Sequence, residues 1–172
     1  MFYIESSRIK LLPLSNYYLL LWKNSRADME KELGLEISNQ LIDEFHLSEI
    51  KDALINFWIP NTAENPENYI WFTNWEIILK ENNTSIGGIG LIGLPNEKKE
   101  TMIGYGIDRN YYNKGFATEA IKCLCEWVFL NSDTSSIIAD TKPDNISSQK
   151  VLIKNGFKMT GMDEMMHFKL ER

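Results

Sequence analysis

The fold is decided by residues 107–120, which read Ile107-Asp108-Arg109-Asn110-Tyr111-Tyr112-Asn113-Lys114-Gly115-Phe116-Ala117-Thr118-Glu119-Ala120. This stretch predicts a strand end, a short polar loop, a glycine where a helix begins, and an amphipathic helix. A helix start presents unpaired N–H groups and the positive end of a dipole, which together favour an anion. Gly115 lets the backbone approach a ligand, while Lys114 and Thr118 add a cation and a hydroxyl. The spacing leaves two interpretations open: a phosphate-binding loop, or a strand-to-helix turn in which Gly115 only relieves backbone strain.

Length, composition and charge narrow the class of protein. The chain has 172 residues, of which 44% are hydrophobic and 12% aromatic, enough for one sizeable core. We therefore expect a single domain that covers residues 1–172. The net charge of -6 and the pI near 5.0 argue against nucleic acid as a partner. An acidic surface suits a cationic substrate such as an amine, although it also serves solubility alone.

Neither a membrane segment nor a metal site is predicted. The sequence contains no run of eighteen apolar residues, and residues 1–8 lack the features of a signal peptide, so we expect a cytoplasmic protein. The two cysteines, Cys123 and Cys125, stand two apart on a predicted helix and point to different faces, which excludes a disulfide between them. The histidines His46 and His167 are remote in sequence, and no paired metal-ligand motif occurs.

The first half of the chain predicts a strand, a helical region and a second strand. A strand at 8–12 precedes a helix that we expect Ser15 to cap, and Ser48 is the expected cap of a later helix. Residues 61–68 are rich in Asn, Glu and Pro and predict a loop. Residues 69–80 are rich in aromatic and β-branched side chains and predict a strand.

The second half of the chain indicates a mixed sheet. The expected elements are strands at 85–93 and 101–107, a helix from Phe116, a strand at 136–139, a helix capped by Asn145 and closed by Asn155-Gly156, and strands at 157–160 and 165–170. A strand–helix–strand unit implies one parallel pair within an otherwise antiparallel sheet. The expected class is α+β, with helices on the sheet faces.

A second glycine motif does not indicate a dinucleotide-binding site. Residues 88–93, Gly88-Ile89-Gly90-Leu91-Ile92-Gly93, satisfy the G-x-G-x-x-G pattern of dinucleotide-binding loops. Such a loop must follow a strand and open a helix, but a polar turn without an apolar helical stripe follows here. The glycines therefore indicate a bulged strand. The chain also lacks the Walker pattern G-x-x-x-x-G-K-[ST], which disfavours nucleotide hydrolysis.

Two motifs resemble those of a known family. Ile103-Gly104-Tyr105-Gly106-Ile107 and the segment 112–120 resemble the acyl-CoA loop of GNAT N-acetyltransferases, in the branch typified by ribosomal-protein alanine acetyltransferases. Residues 145–157 are similar to the second motif of that branch, N-x-x-S-x-x-V-L-x-K-x-G-F. Arg8-Ile9-Lys10-Leu11 is a weaker match. The resemblance covers essentially the whole chain, and two motifs at the right separation are more specific than either alone.

The resemblance implies a fold, a co-substrate and a set of binding residues. The family fold is a mixed, mostly antiparallel, splayed sheet flanked by helices, with acetyl-CoA between two parallel strands. The main chain of Ile107, Asp108 and Arg109 would then pair with the pantetheine arm, and Asn145 would bond to the pantetheine or phosphate region. The N–H groups that would hold the pyrophosphate belong to Asn113, Lys114, Gly115, Phe116, Ala117 and Thr118.

The implied chemistry is the direct attack of a neutral amine on the thioester. Ser148 is the candidate donor of a proton to the departing thiolate, although a first-turn serine that bonds to backbone is the plainer interpretation. Family members often carry Glu directly before Ile-Gly-Tyr as a base, but here Met102 occupies that position. Glu100, on the same strand face, is a weak substitute, and an exposed loop-end carboxylate is its plainer interpretation.

Two functions from different classes follow from the resemblance. The first is an acetyl-CoA-dependent N-acetyltransferase for a primary amine, either a protein N-terminus or a small molecule. The second, motivated by Met102, is a GNAT-fold module that binds acyl-CoA without turnover. We expect an amine acceptor, no nucleic acid, no membrane, no metal, and a monomer or homodimer. The identity of the acceptor is left open, because substrate-facing loops are the variable part of such folds.

Overall fold

The computed structural model describes the backbone of residues 1–172 and every side chain except that of Phe45. The strands are β1 Ile4–Glu5, β2 Ile9–Pro13, β3 Asn74–Leu79, β4 Thr84–Leu91, β5 Glu100–Ile107, β6 Ser136–Thr141, β7 Lys158–Met162 and β8 Met166–Glu171. The α-helices are α1 Asn16–Asn24, α2 Arg26–Glu32, α3 Glu44–Ala53, α4 Ile59–Glu64, α5 Phe116–Asn131 and α6 Ile146–Lys154. A π-helical turn, Leu54–Trp58, joins α3 to α4, and 3-10 turns occupy Pro66–Trp71 and Arg109–Tyr111.

One sheet contains all the strands of the described chain. Their order is β1-β2-β3-β4-β5-β6-β8-β7, and every neighbouring pair is antiparallel except β5 and β6. That parallel pair is joined only from Glu100↔Ser136 to Met102↔Ile138, although β5 continues to Ile107 and β6 to Thr141. The strands therefore part after Met102. The predicted α+β class, with a mixed, mostly antiparallel, splayed sheet flanked by helices, is confirmed.

Helices cover the two faces of the sheet unequally. On one face, inward side chains of β2 to β5 pack against the buried stripe of α5, including Ile121 and Leu124. On the opposite face, Ile78 of β3 packs with Leu19 and Met29 of the first two helices. Each fully buried aliphatic side chain contributes about 1.5–3 kcal/mol, so both layers anchor the sheet. The helical cover on the second face lies over β2 and β3, away from the parting of β5 and β6.

Three local predictions in the first half of the chain were wrong. Ser48 lies inside α3, whose cap is Asp43, with the carboxylate accepting from His46 N at 3.0 Å. The expected loop at 61–68 instead contains the end of α4 and the start of a 3-10 turn, because prolines at the first positions of both elements favour helical geometry. The strand predicted from residue 69 begins at Asn74 for the same reason.

The glycine-rich strand contains a bulge, as predicted, but the bulge lies just before the glycine motif at residues 88–93. Between β3 and β4 the register shifts from Ile77↔Gly87 to Ile78↔Ser85, so Ile86 is the extra residue. Gly87 has φ 153°, and a Cβ there would overlap the carbonyl oxygen of Gly106. The G-x-G-x-x-G segment is therefore strand and turn, since no helix follows it before the 3-10 turn at Arg109.

A buried charge cluster joins the helices to the sheet. Glu30 and Glu76 are inaccessible to solvent and share the guanidinium of Arg26. Arg26 Nε bonds to Glu30 Oε1 at 3.0 Å, and its Nη2 bonds to Glu76 Oε2 at 2.7 Å. The hydroxyls of Ser38 and Ser85 also donate to these carboxylates. Because the carboxylates outnumber the cation, the cluster depends on Arg26.

We expect Arg26→Met to lower the free energy of unfolding by about 3–5 kcal/mol, because it leaves two buried carboxylates without their cation. Urea unfolding followed by circular dichroism measures the change. The matched control is Lys31→Met on the same helix, whose exposed pair with Asp28 has an N–O distance of 3.9 Å. Equal effects of the two substitutions would contradict a special role for the buried cluster.

Candidate active site

The start of α5 presents the predicted anion site. Gly115 caps the helix in the left-handed region with φ 82°, and Asn113 before it has φ 59°. The first intrahelical bond runs from Glu119 N to Gly115 O at 3.0 Å. The N–H groups from Gly115 to Thr118 therefore lack intrahelical acceptors. Together with the positive dipole end of a 16-residue helix, they can hold a phosphate.

An arginine from the N-terminal segment braces this loop. Arg8 Nε donates to Glu119 Oε2 at 2.7 Å, and Nη2 of the same guanidinium lies 2.6 Å from that oxygen. Nη1 donates to the carbonyl of Lys114 at 3.0 Å, and Cζ lies 4.4 Å from the centroid of the Phe116 ring. A single guanidinium thus contacts the loop, its first helical residue and the first-turn carboxylate. Arg8, which belongs to the weaker sequence match at Arg8–Leu11, therefore has a structural role in fixing this loop.

Contacts with Arg8 and Ser6 keep Glu119 ionised. Burial opposes its charge, but hydrogen bonds from Ser6 and from Arg8 outweigh that effect and hold its pKa below the ordinary value. Ser6 Oγ donates to Glu119 Oε1 at 2.6 Å. A carboxylate in the first helical turn would repel a bound phosphate, so its pairing with Arg8 also neutralises an unfavourable charge.

Residues 41–43 support the loop from the other side. The buried carboxylate of Asp108 accepts from Leu41 N at 3.1 Å and from Asn110 N at 3.0 Å. Arg109 N donates to Leu41 O at 3.3 Å, and the Arg109 guanidinium contacts Asp43 at 3.2 Å. The main-chain N–H of Asp108 donates to Ile86 O at 2.8 Å. The N–H groups of both residues are thus bonded within the protein, which leaves Ile107 as the best placed of the three predicted pantetheine contacts.

The parting of β5 and β6 exposes backbone hydrogen-bonding groups to the gap. Asp108 N and Met102 O both bond on the β4 side. Because backbone groups alternate in direction along a strand, those of Ile103, Tyr105 and Ile107 point the other way, toward β6. An extended arm with amide groups could pair with them as a further strand would.

The second motif places Ser148 against a tyrosine. Asn145 caps α6 as predicted, with its side-chain oxygen accepting from Ser148 N at 3.0 Å. Ser148 Oγ lies 2.7 Å from Tyr105 Oη. Burial raises the pKa of Tyr105, although the hydrogen bond with Ser148 opposes the shift. The phenol therefore keeps its proton at neutral pH. The sequence pointed to Ser148 but not to Tyr105. The available signal was the position of Tyr105 in the strand that leads into the acyl-CoA loop.

Glu100 is engaged elsewhere. Its Oε1 accepts from Lys169 Nζ at 2.7 Å, and this hydrogen bond lowers the pKa of Glu100. It lies in the paired part of β5 opposite Ser136, whereas Met102 lies at the last paired position. The ion pair disfavours Glu100 as a base, and its catalytic role stays a prediction.

The two cysteines and the possible metal-ligating side chains form no further site. Burial raises the pKa of Cys123 to about 11 and that of Cys125 to about 12, so neither thiol is a thiolate near neutral pH. Among the described residues, no group of three or more His, Cys, Asp or Glu side chains is arranged to hold a metal ion. Within the same part of the chain, no helix has the length and apolar character needed to cross a bilayer.

Comparison with known proteins now gives the class. A family model described as an acetyltransferase (GNAT) domain matches residues 22–158, and the chain belongs to the GNAT acetyltransferase family. The N-acetyltransferase YjdG of Bacillus subtilis (strain 168) is 31% identical over 156 residues, covering 90% of this chain and 88% of that protein.

Solved structures share the fold. RimL, a ribosomal L7/L12 α-N-protein acetyltransferase in complex with coenzyme A, superposes with a TM-score of 0.70 at 14% identity, covering 99% of this chain and 98% of that one. The microcin C7 self-immunity acetyltransferase MccE, in complex with acetyl-CoA and AMP, gives a TM-score of 0.66 at 16% identity, covering 97% and 94%. The protein is thus an acetyltransferase with an acetyl-CoA-binding fold.

We expect Arg8→Gln to raise the KM for acetyl-CoA about tenfold, equivalent to about 1.4 kcal/mol, with little change in kcat. The loop that presents the N–H groups loses its brace, whereas the reacting end of the site keeps its geometry. Steady-state kinetics and stabilisation of Tm by CoA measure the effect. Lys10→Gln is the matched control, since Lys10 lies on the same segment with its Nζ over the Tyr3 ring, 5.3 Å from the centroid. An unchanged KM in Arg8→Gln would refute the bracing role.

Proposed function

We propose that the protein transfers the acetyl group of acetyl-CoA to a primary amine by direct attack on the thioester. One observation carries this proposal: the gap between β5 and β6 connects the N-terminus of α5 with the Tyr105–Ser148 pair. CoA would lie along that line, with its phosphates at the helix N-terminus, its amide-bearing arm in the gap and the departing thiolate beside the Tyr105–Ser148 pair. The raised thiol pKa values disfavour an acyl-cysteine intermediate, which supports direct attack.

The residues present fit acetyl-CoA. The N–H groups of Asn113 to Thr118 would hold the pyrophosphate, and the exposed Lys114 adds a positive charge. The main chain of Ile107 would pair with the pantetheine arm, with Asp108 and Arg109 setting the loop's shape. Since Asn145 Oδ1 caps α6, its amide nitrogen is the atom we expect to contact the co-substrate. When bound, acetyl-CoA supplies the activated acetyl group, and the protein supplies orientation and proton transfer.

The Tyr105–Ser148 pair is the proposed source of the thiolate's proton. Tyr105 is partly buried on the sheet face that α5 and α6 cover, and its hydroxyl is within hydrogen-bond distance of Ser148 Oγ. Because burial raises its pKa, Tyr105 is protonated at neutral pH, and its hydroxyl can donate to the sulfur as the C–S bond breaks. Ser148 either donates directly or relays the proton from Tyr105.

We expect Ser148→Ala and Tyr105→Phe each to lower kcat about 10- to 100-fold while the KM for acetyl-CoA changes little, because the pair acts on the leaving group. Saturation kinetics with detection of free thiol measure both constants. Ser147→Ala, at an exposed position on the same helical turn, is the control. Wild-type turnover in both Ser148→Ala and Tyr105→Phe would remove the pair from the mechanism.

The acceptor is the open part of this proposal. RimL acts on ribosomal L7/L12, which makes a protein N-terminus one candidate class. MccE confers self-immunity to microcin C7, which makes a small-molecule amine another. A panel of N-terminal peptides, polyamines and aminoacyl nucleotides, tested with acetyl-CoA, separates the classes. We expect CoA release with at least one member, and mass spectrometry then identifies the product.

The alternative function is an acyl-CoA sensor without turnover, which the apolar Met102 at the expected base position favours. The sensor and the enzyme both predict stabilisation of Tm by acetyl-CoA. Binding without CoA release across the whole panel would support the sensor and reject the transferase. Failure of both acetyl-CoA and CoA to bind would reject both functions.

A further inference from the structure

Four glycines form a floor without side chains on the sheet face opposite α5 and α6. Gly88 stands opposite Gly106 in the ladder between β4 and β5, and Gly90 stands opposite Gly104. Residues alternate between the two faces of a strand, and Ile89 packs in the core beneath α5, so these glycines point the other way. We call this the open face, since the first two helices cover it only over β2 and β3.

Packing explains the glycines of β4 but not those of β5. A Cβ at Gly88 would lie 2.2 Å from Asn74 Oδ1, and one at Gly90 would lie 2.6 Å from a main-chain oxygen. At Gly104 and Gly106 a Cβ would meet no heavy atom within 4 Å, and neither glycine has a positive φ. Glycine weakens a strand, and a common reason for it is the close approach of a ligand.

A buried carboxamide is aimed onto this floor. Asn74, the first residue of β3, is 5% exposed, and its Nδ2 donates to the carboxylate of Glu76 at 2.8 Å. Because a carboxylate accepts hydrogen bonds, this contact turns the nitrogen toward Glu76 and leaves Oδ1 above Gly88. Among the described residues no group donates to Oδ1, yet every side-chain polar atom that is sealed from solvent has a partner. Oδ1 is therefore an unpaired acceptor that a ligand can reach.

The buried charge cluster strengthens this acceptor. Glu76 shares the guanidinium of Arg26 with Glu30, so the cluster holds one more carboxylate than cation. The hydrogen bond from Asn74 Nδ2 to Glu76 polarises the carboxamide, which makes Oδ1 a better acceptor. The excess negative charge favours a donor that carries full or partial positive charge. An ammonium or an amide N–H therefore suits this position.

Other polar side chains of the open face already have partners. His167 bonds through Nδ1 to Asp140 at 2.8 Å and through Nε2 to Asp163 at 3.0 Å. Glu100 is paired with Lys169 at 2.7 Å. These side chains bond to one another, whereas the carboxamide oxygen lies unpaired directly over the glycine floor.

The floor connects Asn74 Oδ1 to the edge of β5 that borders the gap. Cβ positions of directly opposite residues are about 4.5–5.5 Å apart, so Oδ1 lies about one strand spacing from the space above Gly106. An amine at the edge of β5 and a donor nitrogen at Oδ1 would then be on the order of 5 Å apart. One to two residues of extended peptide, at about 3.4 Å each, or a short diamine spans that distance.

We propose that the acceptor lies across the glycine floor and donates a second N–H group to Asn74 Oδ1. The inference rests on the proposed acetyl transfer and names the chemistry of the acceptor: a primary amine with an amide N–H or a second ammonium on the order of 5 Å away. Asn74 then binds and selects the acceptor without exchanging a proton with it.

The experiment pairs enzyme variants with acceptor analogues. The peptide arm compares trialanine amide with two ester analogues, in which oxygen replaces the N–H of the second or the third residue. The diamine arm compares diaminobutane with butylamine. If another panel amine is the better acceptor, its own analogue without the second N–H takes their place. Release of CoA at saturating acetyl-CoA gives kcat/KM for each acceptor, and the arm that responds distinguishes an amide donor from an ammonium.

Four variants separate the effect of Oδ1 from that of the fold. Asn74→Ala removes Oδ1, whereas the control Ser85→Ala removes a different donor to Glu76 and keeps Oδ1. Gly88→Ala keeps the carboxamide but displaces its oxygen with a methyl group. Gly106→Ala adds a methyl group to the empty floor. Stabilisation of Tm by CoA shows that each variant is folded and binds the co-substrate.

We expect the wild type to lose about tenfold in kcat/KM with the analogue that lacks the second N–H. In Asn74→Ala and Gly88→Ala the paired acceptors should differ little, and Ser85→Ala should discriminate as the wild type does. Gly106→Ala should raise the KM for the acceptor, while the KM for acetyl-CoA stays unchanged in all four variants.

Three results would overturn the inference while acetyl transfer stands. They are a wild type that does not distinguish the paired acceptors, undiminished discrimination in Asn74→Ala, and an equal loss of discrimination in Ser85→Ala. No turnover by the wild type with any amine would instead overturn the proposed function.

Discussion

The site depends on the point at which β5 and β6 stop pairing. Three rows of parallel ladder join them, and after Met102 the backbone groups of Ile103, Tyr105 and Ile107 have no strand to bond to. A sheet interior rarely leaves such groups unpaired, because each unmet hydrogen bond costs free energy. An amide-bearing ligand relieves that cost. The gap is therefore both a break in the ladder and the place where we propose that the pantetheine arm of CoA binds.

Contacts on both sides fix the loop that leads from β5 into α5. On one side Arg8 ties the loop at Lys114 to Glu119 in the first turn of α5, and on the other Asp108 is bonded to Leu41. These contacts join segments more than sixty residues apart in the chain. Because the loop is fixed before any ligand arrives, less conformational entropy is lost on binding. Such preorganisation suits the proposed alignment of a flexible co-substrate with an amine.

The two faces of the sheet beside the gap carry different polar pairs. The Tyr105–Ser148 pair lies on the face covered by α5 and α6, where burial keeps the phenol protonated. The Asp140–His167 pair lies on the open face, where water has access and carboxylates favour the imidazolium. Met102, at the last paired position of β5, is apolar and cannot accept a proton.

The sequence by itself determined the class of fold, the start of a helix at Gly115 and the cap at Asn145, because helix signals and glycine positions act over a few residues. Phosphate binding at Gly115 and the role of Ser148 stay predictions. It misjudged the region from Ser48 to Tyr69, where prolines and tertiary packing extended helical turns. Only the tertiary structure paired Tyr105 with Ser148, Arg8 with Glu119, and His167 with Asp140. The physical reason is that strand order and register decide these contacts, and no local pattern encodes them.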